Sequence, residues 1–503
     1  MGEANGSGAA VRVLAVSRVA PSPAPAPEKA AGEGQRVKLS FFDTPWIVLP
    51  PIQRVFLYEL PGDDESEFPA AVARLKKSLA ATLALYLPLA GKLAYVAETE
   101  DVAVDCADDP GVAFAEAEVD GDGFDLRRLA GDEAHDIPAF LALVPELDAR
   151  ALPAPVLSVQ ATRLPRGGLA LGVSVHHAVA DGQAVWRFVG AWAAAAREGS
   201  PVTKALPPPH YSRDVIRVPG GDEFARQMLK MVAPNLPVIY DHRFKQCYLF
   251  WLPQTYKACH SLLTSSACRA ANATEYDFRQ RFRLARRTFH LTADDIAALK
   301  RRIDALAAAD DDKNNTNTNT SKSKPVSTFV ALSALGWTAF VRSKGLAAGD
   351  DTYLIFLADL RARLDPPVGD GYLGNCIKGC LATADAGDLL RGGAGGLLAA
   401  ARAVQAAVAA MAAVPMAGTE RWIERVMQLP FARLANVAAS PRFRVYDAAD
   451  FGFGKPERVE LVSMNHDGEM VLVGGRREGE VQLSVSLDPA RMDAFKKEVL
   501  AVD

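Results

Sequence analysis

A globular chain in two halves, with both strands and helices, is predicted by three observations. The chain has 503 residues, 49% of them apolar, which is enough for two or three ordinary domains with large buried cores. Segments of strand period and of helix period are interspersed in both halves rather than segregated into one. Between the halves, Lys204 to Arg217, with Pro207-Pro208-Pro209, has the composition of a connector. The halves are accordingly taken as residues 1–210 and 246–503, with an approximate crossover over 211–245.

In the first half a short strand at Val11 to Val19 is followed by a loose Pro-, Ala- and Gly-rich connection, Ala20 to Gln35, and order resumes at Leu39. Leu75 to Leu87 has the spacing of an amphipathic helix, closed by Pro88. Val156 to Val175 reads as a hairpin: Val159, Leu169, Leu171, Val173 and Val175 are apolar at odd positions, and Pro165-Arg166-Gly167-Gly168 supplies the turn. A helix follows, since Val185, Phe188, Val189 and Trp192 recur at spacings of three and four.

In the second half, Arg287 to Leu291 reads as a strand, and Thr292-Ala293-Asp294-Asp295 as the capped start of a helix ending near Ala309. Residues 310–324, with Asn-Thr repeats and almost no apolar side chains, are expected to form a disordered surface loop. A helix through Phe329, Leu332, Leu335, Trp337 and Phe340 and a buried strand at Tyr353 to Leu357 come next. Leu397 to Ala417 is mostly alanine but carries Arg402, Gln405 and Pro415, so a buried or amphipathic helix is expected there rather than a membrane span.

Composition narrows the function classes. A net charge of −4 gives no general attraction for a nucleic-acid backbone, and nucleic acid is not expected as a partner. The six cysteines are sparse and irregular, unlike a disulfide scaffold or a paired zinc site, so a reducing cytosol and no metal are expected. Arg12 and Arg18 interrupt the first apolar run, which disfavours a secretory signal. Asn272-Ala273-Thr274 fits a glycosylation acceptor but lacks that route, and Gly6 stands where myristoylation wants a hydroxyl. A soluble monomer, not bound to membrane, is the expected state.

The chemistry concentrates in Val175-His176-His177-Ala178-Val179-Ala180-Asp181-Gly182. By strand parity His177 continues the face of Leu171, Val173 and Val175, so its imidazole is aimed inward at a strand end, whereas His176 has the opposite parity and a packing role. A neutral imidazole, with an ordinary pKa near 6.5, is suited to taking a proton from a hydroxyl or amine that attacks a carbonyl. A thioester is a suitable electrophile, because its thiolate leaves with little acid assistance. Asp181 has the residue type either to orient that histidine or to anchor the loop through an arginine. Alone, such a spacing recurs by chance, and Asp450-Phe451-Gly452-Phe453-Gly454 alone is an ordinary turn.

The combination of segments is more specific. Leu39-Ser-Phe-Phe-Asp43 with Trp46, Leu75 to Leu93, His177 to Gly182, Ser327-Thr328-Phe329, Asp359 to Pro367, Tyr372-Leu-Gly-Asn-Cys376, and Asp450 to Gly454 with Lys455-Pro456 follow in order along nearly the whole chain. In this the chain closely resembles the plant BAHD acyltransferases, and within them the flavonoid and phenolic-glucoside malonyltransferase group. The resemblance implies two similarly sized α/β domains of the chloramphenicol-acetyltransferase-like type, each a mixed β-sheet flanked by helices, with the active site in a channel between them.

It also implies roles. No cofactor is held; acyl-CoA, with malonyl-CoA favoured, is the co-substrate, and a small phenolic glucoside (flavonoid or anthocyanin) is the acceptor. His177 is the general base in a ternary complex, and Asp181 is chiefly structural, turned toward an arginine, with Arg361 placed ahead of Arg363. Asp450, Phe451, Gly452, Phe453 and Gly454 shape the coenzyme channel, Asp450 as an anchor. Phe453 stands where the family has Trp, which keeps an aromatic plane but loses an N–H donor, and Leu373 stands where the subgroup has Phe. A malonyl carboxylate calls for a cation, for which Arg187 is the candidate. Alternatives are a hydroxycinnamoyl-CoA-dependent O- or N-acyltransferase, a non-catalytic binding member of the fold, and a condensation-type enzyme using a carrier-protein thioester.

Weaker signals accompany these. The arginines at 279, 281, 283, 286 and 287 are read as a basic strand edge at the surface ahead of a site for coenzyme phosphates. Asp120-Gly121-Asp122-Gly123 is read as a turn rather than a calcium loop, and Cys376 and Cys380 as small apolar packing.

Overall fold

The computed structural model describes residues 11–23, 36–61, 66–120, 122–131, 133–239, 283–314, 325–392 and 395–501. Among the described residues nine strands lie in the first half: β1 Val11–Val19, β2 Arg36–Lys38, β3 Ile52–Glu59, β4 Lys92–Val96, β5 Asp101–Asp105, β6 Val112–Val119, β7 Ala154–Pro155, β8 Leu157–Leu164 and β9 Gly168–Val175. Seven follow: β10 Ala285–Leu291, β11 Asp351–Asp359, β12 Ile377–Asp385, β13 Leu434–Ser440, β14 Arg458–Leu461, β15 Glu469–Gly474 and β16 Val481–Leu487. The helices that frame the two sheets include α1 Glu67–Leu83, α2 Gly182–Glu198, α3 Ala293–Asn314, α4 Thr328–Lys344, α5 Gly395–Ala413 and α6 Pro489–Leu500, and a further helix, Gly221–Val232, lies in the crossover.

Among the described residues these strands form two six-stranded mixed sheets, ordered β1-β6-β8-β9-β3-β14 and β10-β16-β15-β13-β11-β12, and a small sheet β2-β5-β4-β7. The β8–β9 hairpin pairs Leu157 with Val175 and Leu164 with Gly168, as the alternation predicts. Its odd apolar residues Val159, Leu169, Leu171, Val173 and Val175 share a core with α1 and α2, through Leu75, Leu79, Phe188 and Trp192.

β14 departs from the halves drawn on the sequence. It lies in the C-terminal half by position, yet pairs antiparallel with β3, Val459 opposite Phe56, and closes an edge of the first sheet. The side chains of Phe56 and Val459 join the same core, so burying them together stabilises the exchange.

Other boundaries also shift. α1 starts at Glu67 and ends at Leu83, and Pro88 stands inside a following 3-10 turn, Leu87–Ala90. α3 runs to Asn314, into the segment expected to be a loop, and Asp310 on it pairs with Arg402 of α5. α5 is long and apolar enough to cross a membrane by length and composition. Its Leu397, Ala400, Ala401, Val404 and Met411 are nevertheless buried at helical spacing, against α4 and β12. The stretch read as a connector, Lys204 to Arg217, is tied down: His210 N–H donates to Gly371 O at 3.1 Å, and Arg213 is drawn inward. The last residues of the crossover, 240–245, together with Asn272, Arg279, Arg281 and residues 315–324, lie outside the described residues.

Candidate active site

β9 ends at Val175, and the loop that follows is locally determined. His176 N–H donates to Val156 O at 2.8 Å, Val179 N–H turns back to His176 O at 3.1 Å, and Ala184 N–H bonds the Asp181 carboxylate at 3.0 Å. Asp181 is thus the N-cap of α2 and fixes where the helix begins. Ala178, Val179 and Ala180 are buried beneath the loop, which leaves His177 partly exposed at its crest. His176 is fully buried, its Nδ1 accepting from Ala178 N–H at 3.3 Å, and burial lowers its pKa to about 3.

Asp181 is turned away from His177. Its two oxygens take the Arg361 guanidinium at 2.8 and 3.0 Å, and Cys376 N–H adds a bond at 3.0 Å. Both side chains of the pair are essentially inaccessible. Burial alone would weaken Arg361's hold on its proton, but the Asp181 charge overcomes it and holds the pKa above the ordinary value. Arg361 also donates to Tyr372 O and Gly374 O, so this one residue joins the strand-end segment, the Tyr372–Cys376 turn and the start of α2. Arg363, the other candidate, bonds Asp359 O and is exposed. Burial pushes the Cys376 thiol up to about 12, consistent with a packing role.

Three residues to which the sequence assigned no role are joined to His177, Trp46 and Asn375 directly and Asp43 through Asn375. Trp46 stacks on the imidazole, with centroids 4.5 Å apart and planes 13° from parallel, and its own indole N–H is held by Phe42 O at 2.8 Å. Asn375 Nδ2 donates to the His177 carbonyl at 2.9 Å and to Asp43 Oδ1 at 3.0 Å. Asp43 is fully buried and also takes Arg213 Nε at 3.0 Å and Ser40 Oγ at 2.7 Å. Asp43, Trp46 and Asn375 lie inside the segments Leu39 to Trp46 and Tyr372 to Cys376, so their residue types were visible in the sequence and only their proximity was not. A Cβ on Gly374 would meet the Tyr372 hydroxyl and the Arg213 guanidinium at 2.7 and 2.8 Å, which explains a glycine in that turn.

Burial lowers the pKa of His177, opposed by its own carbonyl, the Asp181 charge and the Asn375 side chain. The ring is therefore neutral at pH 7 and able to accept a proton. Beside the loop, a cavity of about 1060 Å³ opens between the halves, lined by Gly182 and Gln183 from the first and by Phe329, Phe356, Met411 and Phe443 from the second. Cations line it too, among them Lys300, Arg363, Arg442 and Arg477.

Arg187 does not line this cavity; its guanidinium bonds Pro207 O at 3.4 Å, because its place on α2 points it at the connector. Arg286 is not at a surface edge: it is buried and donates to Val462 O and Met464 O, tying β10 to the segment after β14. Arg287 pairs with Glu133 and Asp493.

The 450–454 loop sits at the far end of α2, about 25 Å from the histidine by the helix rise. Asp450 Oδ1 accepts from Gly452 and Gly454 N–H at 2.9 and 3.1 Å, closing the turn on itself. Gly452, at φ 91°, has a backbone that a side chain disfavours, and its carbonyl takes Arg74. Phe451 is buried edge-on to Trp192 at 4.8 Å. Phe453 rests against Tyr58 and under the Arg74 guanidinium, contacts that need a ring face and no N–H donor.

A histidine on a strand-end loop and a channel between two mixed-sheet halves define the class: an acyl-CoA-dependent acyltransferase. The chain belongs to the Transferase family, the BAHD acyltransferases, which it matches over residues 24–238 and 267–501. It is 30% identical to the malonyl-CoA:anthocyanidin 5-O-glucoside-6''-O-malonyltransferase of Arabidopsis thaliana, over 97% of both chains. It is 28% identical to phenolic glucoside malonyltransferase 1 of the same plant, over 96% of both. Among solved structures it is similar to vinorine synthase, with a TM-score of 0.63, 18% identity and 98% of both chains covered. It is also similar to F. sporotrichioides TRI101 complexed with coenzyme A and T-2, with a TM-score of 0.57, 17% identity, and 92% and 97% covered.

Proposed function

We propose that this enzyme moves a malonyl group from malonyl-CoA to a sugar hydroxyl of a phenolic glucoside, with His177 as the general base. The observation that carries the chemistry is a neutral imidazole stacked on Trp46, its backbone carbonyl held by Asn375, on the loop that leads into the cavity at Gly182 and Gln183, with no carboxylate bonded to the ring among the described residues. His177 takes the acceptor hydroxyl's proton as that oxygen attacks the thioester carbonyl carbon. The C–O bond forms, the C–S bond breaks, and the imidazolium returns the proton to the departing thiolate. No covalent acyl-enzyme is needed. Lys300, Arg363, Arg442 and Arg477 give the cavity the charge to receive coenzyme phosphates. The malonyl and glucoside assignments rest on the two malonyltransferases, at 30% and 28% identity.

A donor-by-acceptor panel tests the reading. Malonyl-, acetyl- and hydroxycinnamoyl-CoA are each offered with phenolic, flavonoid and anthocyanin glucosides. Malonylated glucoside is the expected product; a protein that uses only aromatic donors refutes the malonyl assignment, and one that transfers from no thioester refutes the whole reading.

The pH profile follows from the direction of the His177 shift. The active form is unprotonated and its pKa lies below 6.5, so kcat/KM should be flat at neutral pH and fall only on the acid side of 6.5. An acid limb centred above pH 7 would contradict the assignment.

A further inference from the structure

Arg54 is a buried cation to which the described fold supplies no counter-charge. It lies on β3 opposite Val173 of β9 and Leu461 of β14, and is 6% exposed. No nitrogen of its guanidinium has a hydrogen bond or ion pair to a described residue, and its Nε is wholly buried. The carboxylate whose charge acts on it from a distance, Glu460, pairs with Val55 and so belongs to the opposite face of the sheet. Its oxygens are already taken by Arg458 Nε at 2.9 Å, Thr288 Oγ1 at 2.7 Å and Ser484 Oγ at 3.0 Å.

What Arg54 does have is the face of Trp186, 4.7 Å from guanidinium carbon to ring centroid. The Trp186 indole N–H is itself buried with no partner. Burial lowers the Arg54 pKa to about 10, which still leaves it charged at neutral pH. A guanidinium whose Nε is buried, whose terminal nitrogens keep only slight access to solvent, and which has neither an anion nor a hydrogen-bond acceptor beside it among the described residues would gain from a ligand that completes it. Arginine's planar fork matches a carboxylate.

The placement is also informative. Ile52, two positions before Arg54, pairs with Val175, the last residue of the strand that delivers His177. Arg54 therefore sits within roughly 7 Å, along the strand, of that end, on the face shared by Val173 and Val175. Trp186 is one turn beyond the Asp181 cap on α2. Both orphaned donors thus lie on the catalytic-loop end of the first sheet, on its α2 face, and outside the lining of the 1060 Å³ cavity.

We infer that Arg54, together with the Trp186 indole N–H, forms a carboxylate site that seats the free carboxylate of the acyl donor. This rests on the malonyl reading above. The same chemistry would suit a carboxylate on the acceptor, and the experiment separates the two.

Wild type, Arg54→Lys and Arg54→Met are assayed with malonyl-CoA and acetyl-CoA against one phenolic glucoside, and with both donors against a matched acceptor pair with and without a carboxylate. The malonyl-to-acetyl ratio of kcat/KM is expected to fall by roughly 10- to 100-fold in Arg54→Met and by less in Arg54→Lys. An unmoved ratio, with both donors falling together or neither falling, overturns the site. A selective loss of the carboxylated acceptor overturns the donor assignment and moves the carboxylate to the acceptor. Should Arg54→Met not fold, the ratio in Arg54→Lys decides by the same rule. A wild type that ignores malonyl-CoA but uses another donor refutes the malonyl assignment and this donor site with it. A wild type that prefers malonyl-CoA, with the ratio unmoved in the variants, refutes Arg54 alone.

Discussion

Replacing His177 with alanine should lower turnover by about two to four orders of magnitude while leaving the protein folded. The side chain is partly exposed on the crest of its loop, and the buried structure beneath it consists of Ala178, Val179 and Ala180, which the substitution leaves in place. The carbonyl that Asn375 holds at 2.9 Å belongs to the backbone and survives the change. The expected signature is therefore a loss in kcat with a melting transition close to wild type. Single-turnover acyl transfer from CoA and a thermal scan on the same preparation check it. Turnover within threefold of wild type would remove His177 from the chemistry.

Asp181→Ala should behave in the opposite way, losing stability first and activity as a consequence. The substitution leaves the Arg361 guanidinium buried without its carboxylate, frees Cys376 N–H, and removes the N-cap of α2. Breaking a buried pair by removing one partner costs about 3–5 kcal/mol. A cap lost at the same time adds about 1 kcal/mol. Denaturant titration of the single variants, and of Asp181→Ala combined with Arg361→Met, gives the coupling. The double variant should be less destabilised than the sum of the singles, because no unpaired charge remains. A fully stable and inactive Asp181→Ala protein would instead place the carboxylate in the reaction.

These contrasting expectations follow from geometry that the sequence carried only in part. The β8–β9 hairpin, the helix after it, the strand β11 and helix α4 were legible because each is set by periodicity and turn chemistry within a few residues. Pairing of β14 with β3 was not, because its register is chosen by a partner some 400 positions earlier, Val459 opposite Phe56. The end of α3 was misread for a similar reason: a polar tail looks disordered locally, whereas Asp310 meets Arg402 on another helix. Arg187 was the natural cation on α2 by residue type, and only the packing of the connector shows it bonded to Pro207 O.

The amino-acid sequence by itself determined the catalytic candidate, the strand end that presents it, and the interspersed strands and helices. Those properties reside in side-chain chemistry and short-range spacing, which need no distant partner. The tertiary structure alone decided which arginine meets Asp181, that Trp46 and Asn375 converge on His177 with Asp43 behind Asn375, and that Arg54 is left without an anion. Each of those depends on residues tens to hundreds of positions apart being brought within a few ångströms. That proximity arises only when both sheets have closed on their cores and burial has made every unpaired polar group costly.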